Sequence, residues 1–154
     1  MKKLLLIGLG SLLAGHVFAQ ESGYKQALGL KVPGGFSVTY KNFINSTENI
    51  EAQAMYWKKG FRLVGLYEFN FYSFDVEGLS WFVGPGAHIG FWKKKYQEDY
   101  NSTVDLGIDG IIGLDYKFKD LPLNISLDWQ PSLTLLGNSS VTPVYGGLGV
   151  RYTF

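Results

Sequence analysis

The chain contains no cysteine, so no disulfide can brace it and its fold must rest on packing and hydrogen bonding alone. Past residue 19 no stretch stays apolar for the roughly 18 residues that a membrane-spanning helix needs, whereas spanning strands need only about 9–11 alternating residues each. No segment there sustains apolar residues at helical spacing without an interrupting glycine, so helices are not expected. An excess of one charge is also missing, with 14 basic against 13 acidic side chains. The only run of three lysines is Lys93 to Lys95, which argues against a polyanion-binding surface and against nucleic acid as a partner. Histidine is scarce, and beyond the first segment only His88 remains. A metal centre would therefore fall to carboxylates that already have basic neighbours, and neither a metal nor a cofactor is expected.

What is present begins with an ordered leader. Lys2 and Lys3 precede the apolar run Leu4 to Leu13, and Val17-Phe18-Ala19 precedes Gln20, the three parts of a secretory signal. The run holds Gly8, Gly10 and Ser11 and is short for an anchor, so cleavage after Ala19 is expected, leaving residues 20–154 as one domain. Cleavage would remove two basic residues and no acidic one, taking the formal charge from +1 to −1.

The remaining chain has a period of two. Leu123, Ile125, Leu127, Trp129 and Pro131 alternate with Asn124, Ser126, Asp128 and Gln130. Leu106 to Phe118 repeats the pattern, with Ile111 as its one exception on the polar face. Extending the alternation outward predicts eight strands, near 24–32, 35–43, 50–58, 61–70, 79–92, 105–119, 122–133 and 143–154, joined by hairpin turns. The expected fold is all-β: a closed eight-stranded antiparallel up-and-down transmembrane β-barrel.

The polar face of this register carries Lys25, Lys31, Lys41, Arg62, Lys117 and Arg151 against Glu51, Glu68, Asp105, Asp109, Asp115 and Asp128. An eight-stranded lumen is only wide enough for side chains, and the same face holds many glycines, including Gly29, Gly90, Gly107 and Gly113. We therefore expect a paired ionic plug inside, centred on Arg62, Glu68, Asp109, Asp115, Asp128 and Arg151. The apolar face carries Phe36, Tyr56, Phe69, Trp81, Phe91, Trp129 and Tyr152 among other rings. Many fall near strand ends, where interfacial girdles need them. A soluble barrel with an apolar interior is the alternative, but it would have to hold all those rings inside.

The chain ends Gly146-Gly147-Leu148-Gly149-Val150-Arg151-Tyr152-Thr153-Phe154, which resembles the carboxy-terminal assembly signal of outer-membrane barrels, with Tyr152 and Phe154 as its marks. The segments Gly34-Gly35-Phe36, Gly65-Leu66-Tyr67-Glu68, Gly84-Pro85-Gly86-Ala87-His88 and Pro122-Leu123-Asn124 resemble uncharacterised small outer-membrane barrels of Gram-negative bacteria. The resemblance implies location in the bacterial outer membrane, outer-membrane lipids as surroundings, and the barrel assembly machinery as a partner during biogenesis. It implies no activity.

His88 is the one candidate for chemistry. A set drawn from Ser80, His88 and Asp109 would serve a lipid-modifying enzyme, yet no Gly-x-Ser-x-Gly elbow is present and a histidine packed in a polar lumen is the simpler reading. Pro85 removes a ladder donor, which predicts a bulge at Gly84 to Gly86 and a changed facing for His88. The expected role is non-enzymatic, in envelope structure, adhesion or interaction, as a monomer, with a narrow solute channel as the alternative and a lipid-modifying enzyme as the second.

Overall fold

Strict alternation leaves each strand with one face that cannot be satisfied in isolation, and curling the sheet until its edges meet solves this for all strands together. The computed structural model describes residues 23–32, 35–93, 103–137 and 140–154. The predicted leader at 1–19, Pro33-Gly34 and most of the Lys93 to Thr103 connection lie outside the described residues. The strands are β1 (Gln26–Val32), β2 (Phe36–Phe43), β3 (Glu48–Trp57), β4 (Gly60–Phe71), β5 (Leu79–Trp92), β6 (Val104–Lys117), β7 (Leu123–Leu136) and β8 (Ser140–Thr153). Each pairs antiparallel with the next, and β1 pairs with β8 to close the barrel.

At one end, here the terminal end, lie the start of β1, the finish of β8 and the β2–β3, β4–β5 and β6–β7 turns. The opposite, far end carries the β1–β2, β3–β4, β5–β6 and β7–β8 connections. The β3–β4 turn is only Lys58-Lys59. At the terminal end Tyr24 closes against Phe43 edge-on, ring centroids 5.1 Å apart, over Ala27. Burial, reinforced by the nearby Asp115 carboxylate, holds the Tyr24 hydroxyl well above its ordinary pKa.

Two strands run three residues past their predicted limits. β7 continues to Leu136 and β8 begins at Ser140, because the β7–β8 ladder absorbs its prolines in a register shift between Gln130 and Ser132. A second shift, between Leu106 and Gly107, sits in the β6–β7 ladder. The bulge predicted beside Pro85 does not form. β4 and β5 pair from Gly60↔Trp92 to Leu66↔Gly86 and resume at Phe69↔Val83 in the same register, while Pro85 faces Gly110 of β6. The missing N–H thus interrupts the β4–β5 ladder without displacing it. Gly84 makes this possible, since a Cβ there would collide with the Tyr67 carbonyl. His88 consequently keeps the facing that unbroken alternation gives it, buried at 4% exposure.

Candidate functional site in the barrel lumen

The facing of the strands is the reverse of a water-soluble barrel. Lys31, Lys41, Arg62, Arg151, Glu51 and Glu68 are all buried inside, while Leu127, Trp129, Leu28 and Ile112 stand half exposed outside. The glycines of the inner face supply the room. A Cβ on Gly107 would strike the His88 ring, and one on Gly90 would strike the Asp105 carboxylate.

Lys41 organises the terminal half of the lumen. Its Nζ lies 2.9 Å from Glu68, 3.3 Å from Asp115 and 3.6 Å from Glu51, and 4.5 Å over the Phe82 ring. Arg151 donates twice from Nη2 to Glu51, at 2.9 and 3.1 Å. Its remaining donors reach Thr39 at 3.0 Å, Ser126 at 2.7 Å and Asn124 at 3.3 Å. Asn49 donates to Glu68 at 2.9 Å, Gln53 to Glu51 at 2.8 Å, and Asn124 to Asp115. Beside this group Lys31 meets Asp128 at 2.6 Å and donates to Gln130 at 3.2 Å. Buried charges persist only when partnered in this way.

Val64, Leu66, Phe82 and Ile111 form a small apolar cluster in the wall's inner face. Ile111, the exception to the alternation, has its explanation here: it is an inward-facing residue packed on other apolar ones.

The far half is organised by His88. Nδ1 is 2.8 Å from Asp109 and 3.3 Å from the Ser132 hydroxyl, while Nε2 is 3.4 Å from Thr134 and 3.7 Å from Asp105. Asp105 also accepts from the Trp92 indole at 2.6 Å. Arg62 donates to Ser132 at 3.2 Å, stands 4.0 Å from Asp105 and lies 4.4 Å from the centre of the Tyr145 ring. Trp57 and Trp92 meet edge to face, 5.4 Å between centroids, at the mouth.

Several contacts join strands that are not neighbours in the sheet. Lys41 of β2 reaches Asp115 of β6 across the full lumen, Arg151 of β8 reaches Glu51 of β3, and Arg62 of β4 reaches Ser132 of β7. Of the predicted centre, Glu68, Asp115 and Arg151 gather around Lys41, Asp128 joins Lys31, and Arg62 and Asp109 fall in the separate His88 group. Lys41, Glu51 and Lys31, on the expected polar face but outside that centre, lie at the middle of the network, joined by the neutral Asn124 and Gln130 of the same face and by Asn49 and Gln53, which a reading of charges alone left out. Lys117, counted as a lumen cation, instead donates to the Phe118 and Leu121 carbonyls of the β6–β7 turn. Lys25 precedes β1 and is only half buried.

Ser80 does not meet His88. It pairs with Asp115, eight residues away along β5, whereas His88 pairs with Gly107. Ser132 shares Nδ1 with Asp109, so it lacks the separate ring nitrogen that a nucleophile–base–orienter relay requires. Tyr152 and Phe154 stack with centroids 6.2 Å apart, Tyr152 facing outward at 58% exposure. Compared with known proteins, the chain matches no family model, no curated protein and no solved structure.

Proposed function

We propose that this protein is an outer-membrane β-barrel of a Gram-negative bacterium, exported by its leader, with a closed lumen and a non-enzymatic structural, adhesive or envelope-interaction role. The observation that carries the reading is the inverted facing: fully buried charges inside a wall of exposed Leu, Ile, Val, Phe and Trp. Soluble monomers rarely expose contiguous apolar patches beyond a few hundred Å², and here the apolar face runs around the barrel. Its height also suits a bilayer. Trp81 and Phe91 sit near opposite ends of β5, ten residues or ~33 Å apart, which a strand tilt of ~40° reduces to ~25 Å along the axis. Rings gather at both ends of that span: Phe71 stacks on Trp81 and Tyr116 meets Phe118 at the terminal end, and Phe61 stacks on Phe91 at the far end.

Closure is supported by the cross-lumen contacts of Lys41, Arg151 and Arg62, which fill the path that water or ions would need. The reading is tested in two steps. Trp129 lies midway along β7 and faces outward. With Trp57, Trp81 and Trp92 changed to Phe, its fluorescence in phosphatidylcholine vesicles should be quenched most by lipids brominated deep in the acyl chain. Planar-bilayer recording of the wild-type barrel should then show no steady conductance. Shallow or absent quenching would remove the membrane reading, and a steady conductance would replace the plug with a channel.

A further inference from the structure

The β3–β4 turn carries Lys58 and Lys59, and Lys93 stands beside it, its backbone N–H bonded to the Lys59 carbonyl at 2.9 Å. Lys93 also donates to the Tyr56 hydroxyl at 3.0 Å and lies 5.0 Å over the Tyr56 ring. Among the described residues, the connections at the far end hold no carboxylate. The terminal end is mixed, with Lys119 paired to Glu77 at 3.0 Å and with Asp75 and Asp120 close by in the turns. Among the described residues of the far end, the basic side chains are thus concentrated over one pair of hairpins.

Directly down the wall from those lysines the outer face is hollow. Ala52, Gly65 and Ala87 form one row across β3, β4 and β5. With Ala54, Leu63 and Ile89 they line an open apolar depression of about 700 Å³. A Cβ added to Gly65 would meet nothing within 4 Å, so the hollow is open there. Gly65 is six residues from Lys59, ~20 Å along the strand and ~15 Å along the axis at a tilt of ~40°. That depth equals about half of a ~30 Å hydrocarbon core, one leaflet.

We propose that this strip of wall is a binding site for one anionic acyl lipid, with its phosphate at Lys58, Lys59 and Lys93 and an acyl chain lying in the Ala52–Gly65–Ala87 hollow. The proposal rests on the membrane reading above. Lysines at a lipid headgroup attract an anion with an energy of about 1 kcal/mol each, and small side chains admit a chain that Leu or Phe would displace. The two features share the β3–β4 hairpin and its β5 neighbour, so a single amphiphile fits both.

The test is native mass spectrometry of the refolded barrel released from detergent micelles with equal phosphatidylglycerol and phosphatidylcholine added. One phosphatidylglycerol should be retained in preference to phosphatidylcholine. Lys58→Gln, Lys59→Gln and Lys93→Gln together should abolish the preference, weakening retention by roughly fivefold per lysine. Gly65→Leu, which grows into open space, should weaken long-chain but not short-chain phosphatidylglycerol. Inorganic phosphate should compete poorly.

Equal retention of the two lipids, or a preference that survives the triple variant, would overturn the site. So would full displacement by inorganic phosphate together with indifference to Gly65→Leu, which would leave only an anion site. A dimer in place of the lipid adduct would make the hollow an interface between copies and overturn it as well. Deep quenching of Trp129 in pure phosphatidylcholine is independent of all these outcomes, so this proposal can fail while the membrane reading stands.

Discussion

Replacing Arg151 by Met tests whether the lumen is a dry network or a hydrated pore. Arg151 is 1% exposed and makes five hydrogen bonds, two to Glu51 and one each to Thr39, Ser126 and Asn124. Breaking a buried pair from one side costs about 3–5 kcal/mol, because the partner's charge is left behind. Glu51 would retain Lys41 at 3.6 Å and Gln53 at 2.8 Å, so the loss should fall near the lower limit, about 3 kcal/mol. Glu51→Gln leaves Arg151 with only neutral close acceptors and should cost a similar amount. The double variant should lose little more than either single one, a coupling of about 2–3 kcal/mol. Urea titration of the refolded barrel in detergent, with unchanged m-values, measures all three. Refolding in vitro also keeps any effect of the variants on cellular assembly out of the comparison. Single-variant losses under about 1 kcal/mol that simply add would refute the reasoning, since they are what solvent-screened pairs give.

Arginine placed on the outer wall should report depth: Ile112→Arg, near the middle of β6, should cost about 2–4 kcal/mol in lipid, and Val104→Arg, at its far end, about 0–1 kcal/mol. Equal costs by urea titration in vesicles would remove the bilayer from the account. Gly107→Val pushes a side chain into the His88 ring and the Leu133 carbonyl and should destabilise by about 1–3 kcal/mol. Gly65→Leu, facing open space, should stay within about 0.5 kcal/mol in the same titration.

The strand count was legible because alternation is a geometric requirement of a wall with two different faces, and Leu123 to Pro131 obeys it at every position. Its limits were harder to read. Ser, Thr, Gly and Pro around 134–143 have the composition of a loop, yet β7 and β8 continue through most of it because a closed ladder tolerates proline where the register shifts. Pro85 misled in the opposite direction. A proline removes one donor, but whether the strand then bulges depends on its neighbour, and Gly84 lets the Tyr67 carbonyl stay close.

The candidate site was legible as a set of charges and not as a set of contacts, for a reason that bears on function. Periodicity says that a side chain faces inward; it does not say which residue across the barrel it meets. Lys41 and Asp115 are 74 positions apart in sequence and on strands separated by the full lumen. Lys117 shares the inward parity of Asp115, but at the end of β6 its long stem turns to the nearby carbonyls of the turn. Its departure leaves six buried carboxylates facing four buried Lys and Arg side chains and His88. The difference is made up by neutral donors: Asn49 on Glu68, Gln53 on Glu51, Asn124 on Asp115 and the Trp92 indole on Asp105. Amides that a count of charges passes over therefore complete the network. Because each holds a carboxylate already tied to a cation on another strand, a conducting path would require several of these linkages to break together, which is why the closed-lumen reading stands or falls with the Arg151–Glu51 coupling.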